Sequence, residues 1–261
     1  MISLTSSEIN AWVVAFFFPL ARVLALIAAA PPFNNPALPV RIRLVFGLVI
    51  TLGIAPVLPP MPAVEPGSGA GLLLLAQQVL IGFAMGFAMR LVFSAVDMAG
   101  NLISLQMGLS FASSYDPQSA GQTAVISEFL GLLALLVFMA INGHLMVIAT
   151  LTQSFSIIPV RAGNFAANTW WTLAESGAII FSSGLLLALP IVVALMITNL
   201  ALAVLSRAAP QLNLMAIGFP LTIALGFMTL VLGLSHLAPP LLDLFEQGLQ
   251  AMLGLLGVAP R

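Results

Sequence analysis

Seven apolar runs, at residues 11–30, 42–58, 72–94, 124–151, 176–206, 213–237 and 241–258, occupy most of this 261-residue chain. Runs that reach or approach about 20 apolar residues are long enough to cross a hydrocarbon core. None alternates in the manner of a barrel strand, so the predicted fold class is all-α, a multi-helix integral membrane protein. Composition agrees. The chain is 61% hydrophobic and 6% charged, whereas a soluble domain covers its surface with about a quarter charged residues. Its seven arginines, absent lysines and net charge of −1 leave no basic patch, which argues against nucleic acid as a partner. Without cysteine there are no disulfides or thiolate metal sites. Two isolated histidines do not make a zinc site, and no cofactor is expected.

The breaks between runs have their own chemistry. PPFNNPALPVR (31–41) holds four prolines and a twin asparagine and reads as a stiff turn. PPMPAVEPGSGAG (59–71) is a Pro/Gly linker, and SRAAPQLN (206–213) a tight helix–helix turn. Thr5 with Glu8, and Thr172 with Glu175, have capping-box spacing, which predicts helix starts near residue 5 and before the 176–206 run. That run would be about 46 Å long as a helix against a core of about 30 Å. It must tilt, protrude or kink, and Pro190 is the natural kink. Pro19 and Pro220 interrupt two further runs. In the last run Asp243, Glu246, Gln247 and Gln250 follow i, i+3, i+4, i+7 spacing, one polar stripe on a helix that suits an interface better than a span. The arginines favour an N-terminus outside: with all seven runs crossing, Arg41, Arg43, Arg90, Arg207 and Arg261 face the cytoplasm and Arg161 does not.

Several residues are costly in lipid. An arginine at the position of Arg22, well inside its run, costs about 2.5–3.5 kcal/mol unless it meets water or a partner. Asp97, Glu128, Asn142 and His144 are similarly awkward. The readings are a polar pathway through the molecule, or pairing inside the bundle, for example of Arg22 or Arg90 with Asp97 or Glu128; pairing is the default for intramembrane charges. Together they require surface that faces protein or water rather than acyl chains. Gly82 and Gly86 form a GxxxG that lets helix backbones approach closely. Met85, Met89, Met98 and Met107 stud the same stretch, where methionine fits irregular packing.

An enzymatic reading would have to use Gly108-Leu109-Ser110 with His144 or His236 as an intramembrane serine protease, which needs a Ser–His hydrogen bond and oxyanion donors. No phosphate loop, metal cluster or carboxylate dyad accompanies them, and the chain is read as non-enzymatic. A self-contained permease with Arg22, Asp97 and Glu128 along its path is the alternative, although such proteins show internal repeats and paired broken helices that are not visible here.

The segments AGNLISLQMGLSFASSYDP (99–117), INGHL (141–145), SFSIIP (154–159) and GLLLALPIVVALMITNLALAVLSRAAPQLNLMAIGFPLT (184–222) resemble the FliR family of flagellar export-gate proteins, counterparts of the SctT subunits of virulence secretion systems. The resemblance extends over nearly the whole chain. It implies a subunit of the flagellar type III export gate in the bacterial inner membrane, at the centre of the basal body. There it would assemble with FliP-like and FliQ-like subunits into a helical hetero-oligomer that passes unfolded export substrates. It further implies that 1–170 is a FliP-like part and that 171–261 is a FliQ-like hairpin of long, kinked helices. That hairpin would turn at Arg207, Pro210 and Gln211 near a FlhB-like subunit at the cytoplasmic entrance.

In that family the loop after LQMGLSF projects into the pore as a plug, which here implicates 108–123 and, within it and its stem, Met107, Gly108, Ser110, Phe111, Tyr115, Asp116 and Pro117. The residues suit such a role. SFASSYDPQSAGQT (110–123) carries one acid and the chain's single tyrosine. Hydroxyls and small side chains can bond their own backbone, Asp116-Pro117 suits a helical first turn, and Phe111 and Tyr115 supply occluding bulk.

Overall fold

The computed structural model describes residues 6–35, 37–62, 64–109, 125–161, 167–209 and 214–257, and all regular structure among them is helical. The helices are α1 (Ser6–Ala29), α2 (Val40–Ile54), α3 (Gly69–Gln106), α4 (Val125–Ala140), α5 (Gly143–Ile157), α6 (Ala167–Ser176), α7 (Ala178–Ala208), α8 (Leu214–Gly233) and α9 (Ala238–Gly254). Short 3-10 turns at Ala55–Val57 and Leu234–His236 extend α2 and α8.

Four helical segments are long and apolar enough to cross a membrane: Val40–Val57, Gly69–Gln106, Trp170–Ala208 and Gly218–His236. The pair α4 and α5 makes a fifth if counted as one broken span. Their environments differ. The most apolar stretch of α3 is 67% buried within the protein, whereas those of the other three are 17–28% buried. α3 is therefore a core helix. α2, α7 and α8 turn apolar side chains such as Val49, Leu52, Leu186, Leu200 and Val231 outward, as helices facing lipid or further apolar protein surface do.

Three sequence expectations need revision. The 72–94 run continues as one helix of 38 residues. Ser94, Asp97 and Asn101 break its hydrophobicity but not its backbone, because a helix satisfies its own hydrogen bonds whatever its side chains. The 124–151 run is two helices, parted at Ile141–Asn142, where Asn142 takes a left-handed φ of 58°. Asparagine tolerates that conformation better than any apolar residue of the run. Thr172 and Glu175 do not open the helix over 176–206. They lie inside α6, and α7 begins after Gly177, which has no side-chain cap. The Thr5 capping residue lies outside the described residues. Pro19, Pro190 and Pro220 are each accommodated inside a single helix.

The amphipathic reading of the last run agrees with the structure. In α9, Leu241, Leu244, Phe245, Leu249 and Met252 are buried, while Asp243, Glu246 and Gln247 are exposed and Gln250 Nε2 donates to Glu246 Oε1 at 3.3 Å.

The chain folds as two compact units that do not follow its order. One takes Met1–Leu91, Asn142–Ser176 and Glu246–Arg261; the other takes Val92–Ile141 and Gly177–Phe245. Neither coincides with 1–170 or 171–261. Within the first, α1 lies on the N-terminal half of α3 at Gly82 and Gly86 and also packs on α2. Within the second, Phe93, Phe138 and Phe245 form a three-ring cluster with centroids 5.2–5.8 Å apart, spacings typical of favourable aromatic pairs. α7 and α8 pack together as a hairpin in the same unit.

Candidate functional site: a buried arginine and the C-terminal end of α3

Arg22 is 0% exposed and is among the largest fully buried side chains of the protein. An arginine in such a place needs its donors satisfied and its charge compensated. Its Nε and Nη2 both donate to Gln78 Oε1, at 2.9 and 2.5 Å. Nη1 donates to Ser154 Oγ at 2.9 Å and Nη2 to the Ile158 carbonyl at 2.9 Å. The Ser154 hydroxyl donates to the Leu151 carbonyl at 2.6 Å, which leaves its lone pairs for the guanidinium. The Phe155 ring lies 4.1 Å from the guanidinium carbon, within cation–π range.

These partners are neutral. The expected pairing of Arg22 with a carboxylate is not what the structure shows, and the substitute has a physical basis. Ser154, Phe155 and Ile158 sit at the C-terminal end of α5, which has no basic residue in its last turn. The aligned peptide dipoles put about half a negative charge there, and the last carbonyls lack intrahelical donors. Arg22 caps that end from another helix. Gln78 Nε2, buried beside it, has no hydrogen-bond partner among the described residues.

Of the other charges, Arg90 and Glu128 are exposed. Asp97 accepts from Ser127 Oγ at its carbonyl (3.1 Å) and at Oδ1 (3.4 Å). Ser127 stands in the first turn of α4, whose backbone lies so close to Gly100 that an added Cβ there would come within 2.7 Å of the Ser127 nitrogen. Arg90 and Asp97 are two turns apart along α3, about 10 Å of rise.

The stem that precedes the polar segment 110–123 is built as a helix terminus. Leu109 N–H donates to the Ser104 carbonyl at 3.0 Å and Gly108 N–H to Leu105 at 3.1 Å, with Gly108 at φ 81°. This is the Schellman pattern, which glycine enters without a Cβ penalty. Met107 is 0% exposed. Ser110, Phe111, Tyr115, Asp116 and Pro117 lie outside the described residues, as do Pro210 and Gln211 at the α7–α8 turn; Arg207, in the last turn of α7, is exposed.

Sequence reasoning missed Gln78, Ser154 and Phe155 as partners of Arg22, although SFSIIP had drawn attention. Arg43, read from sequence only as a cytoplasmic-side charge, has a structural role as well: its Nη1 donates to Asn34 Oδ1, and its Nε and Nη2 donate to the Leu38 carbonyl at 3.2 and 3.1 Å. That side chain staples the proline-rich turn. A polar residue placed just after a turn is the only signal that could have marked it.

Long apolar helices with a polar, partner-engaged interior define an all-α membrane protein. The family described as "Bacterial export proteins, family 1" matches residues 13–248. Flagellar biosynthetic protein FliR of Pectobacterium carotovorum subsp. carotovorum is 43% identical over 247 residues, 95% of this chain and 94% of that protein. FliR of Escherichia coli K12 is 41% identical over the same shares, and FliR of Bacillus subtilis 28% identical over 94% of this chain and 95% of its own length. The chain belongs to the FliR family of bacterial export proteins.

Proposed function

We propose that the protein is a non-enzymatic subunit of the flagellar type III export gate in the bacterial inner membrane, at the centre of the basal body. It forms part of the channel for unfolded flagellar proteins and contributes the segment 108–123 as a plug. The observation that carries this reading is the similarity to FliR proteins along 95% of the chain. Residues 1–170 act as a FliP-like part and 171–261 as a FliQ-like hairpin. The outward apolar faces of α2, α7 and α8 suit burial against FliP-like and FliQ-like neighbours as well as lipid. The permease alternative would need Arg22 open to solute or protons, and its full burial with four N–H bonds engaged weighs against that.

Co-purification and conductance test the proposal. Expressed alone the chain should be degraded, and with FliP-like and FliQ-like proteins it should be recovered in one complex. In that assembled background, deletion of 111–120 should make membranes leaky to small ions. A monomer that is stable in detergent and moves a solute by itself would sink the gate reading; unchanged conductance on deletion would sink the plug. A photocrosslinker at Arg207 or Gln211 should capture the FlhB-like subunit, and repeated failure at both positions would remove that neighbour from the hairpin turn.

A further inference from the structure

The stem Met107–Leu109 is held by a helix distant in sequence. The Met107 side chain lies against Gly226 of α8, where an added Cβ would come within 2.5 Å of Cγ, 2.7 Å of Cε and 2.8 Å of Sδ. One turn earlier on α8, Thr222 is buried. Its Oγ1 stands 3.3 Å from the Met107 carbonyl and 3.0 Å from the Phe219 carbonyl, so its single proton is shared between an outside acceptor and its own helix. Residues 222 and 226 are four apart and therefore lie on one face. That face has a hydroxyl for the backbone at the end of α3 and a gap in which the thioether seats. The last carbonyls of a helix lack intrahelical donors, and here α8 supplies one. Three residues beyond Met107 the segment 110–124 begins.

We infer that Thr222 and Gly226 are positioning residues: together they clamp the Met107–Leu109 stem to α8 and fix the point from which the following segment starts. The inference rests on the plug reading for its functional consequence, since a displaced stem displaces whatever the segment closes. Neither residue need touch an export substrate. The clamp also couples the hairpin α7–α8 to the C-terminal end of α3 within one compact unit, so a shift of α8 along its axis would draw the stem with it.

The test uses the chain in its co-purified complex. It has no native cysteine, so a nitroxide on Leu109→Cys is resolved by difference from the unsubstituted chain labelled in parallel. Thr222→Val keeps the volume and removes the donor; Gly226→Val fills the gap; Thr222→Ser keeps the hydroxyl. Both valine variants should shorten the label's rotational correlation time by about twofold or more and raise ion leak, while Thr222→Ser leaves both unchanged. Unchanged label motion in both valine variants overturns the clamp. Greater motion without leak, in a background where deletion of 111–120 does leak, overturns the positioning role. Greater motion where neither the valine variants nor the deletion leak supports the clamp and removes the plug reading instead. Because Thr222→Val and Gly226→Val act by different chemistry, misfolding of one leaves the other to decide.

Discussion

Arg22→Met is expected to destabilise the protein by about 3 kcal/mol, enough to clear most of the subunit from the membrane and abolish swimming. Methionine fills much of the arginine's volume, so the loss is polar rather than steric. It leaves the buried Gln78 Oε1 and Ser154 Oγ and the half-buried Ile158 carbonyl without their donor, at about 1–3 kcal/mol for each buried acceptor left unsatisfied. Relief of the arginine's own desolvation offsets part of that sum. Arg22→Lys should fall between, since an ammonium lacks the planar fork and stacks less well on Phe155. Gln78→Glu separates the causes: it keeps an acceptor, adds a counter-charge and removes the unpartnered Nε2, so its stability should equal or exceed that of the wild type. The measurements are thermal unfolding of the purified complex and subunit abundance in membranes. Wild-type stability for Arg22→Met would show that the cage contributes nothing.

The second large effect is expected at the α1–α3 seam. A Cβ on Gly86 would stand 2.7 Å from the Ala29 Cβ and from the Leu26 carbonyl oxygen; one on Gly82 would stand 2.9 Å from the Arg22 carbonyl carbon. These obstacles are backbone or first side-chain atoms of α1, so no rotamer change makes room and the helix itself must move. Gly86→Val and Gly82→Val should each cost about 1–3 kcal/mol. The double variant should cost less than the sum, because the first substitution already opens the seam. Gly82→Val should also weaken the Arg22 cage, since it pushes on that residue's own backbone. Gly53 and Gly233 have nothing within 4 Å of an added Cβ, and alanine there should be neutral or gain up to about 1 kcal/mol. Equal losses at all four positions, read as thermal shifts of the complex, would dissolve the seam argument.

Much of the architecture was legible along the chain because it depends on local composition. Apolar runs of spanning length imply helices wherever the backbone must satisfy itself. The spacing of Asp243, Glu246, Gln247 and Gln250 already separated α9 from the spans, and its buried opposite face agrees. The pattern around LQMGLSF and SRAAPQLN carried the family, and the likeness to FliR proteins bears that out. The continuation of α3 through Asp97 was not legible, since hydrophobicity scores the surroundings of a helix and not its hydrogen bonds. Nor was the break at Asn142, where one residue's left-handed backbone parts two helices that read as a single run.

The identity of each partner was decided by tertiary structure alone. Sequence singled out Arg22 as a charge in need of company and offered carboxylates as candidates, because Coulomb attraction is what a list of residues can suggest. The protein answers with Gln78, Ser154, Phe155 and the Ile158 carbonyl, the last three 132 to 136 positions away and gathered at the end of α5. A helix dipole, an amide oxygen and a ring face leave no mark as charges in sequence. Thr222 and Gly226 follow the same logic: a threonine and a glycine among many, distinguished only because folding seats Met107 against them. Local periodicity determines which segments become helices, whereas the compensation of a buried charge and the clearance between backbones exist only after the helices have met.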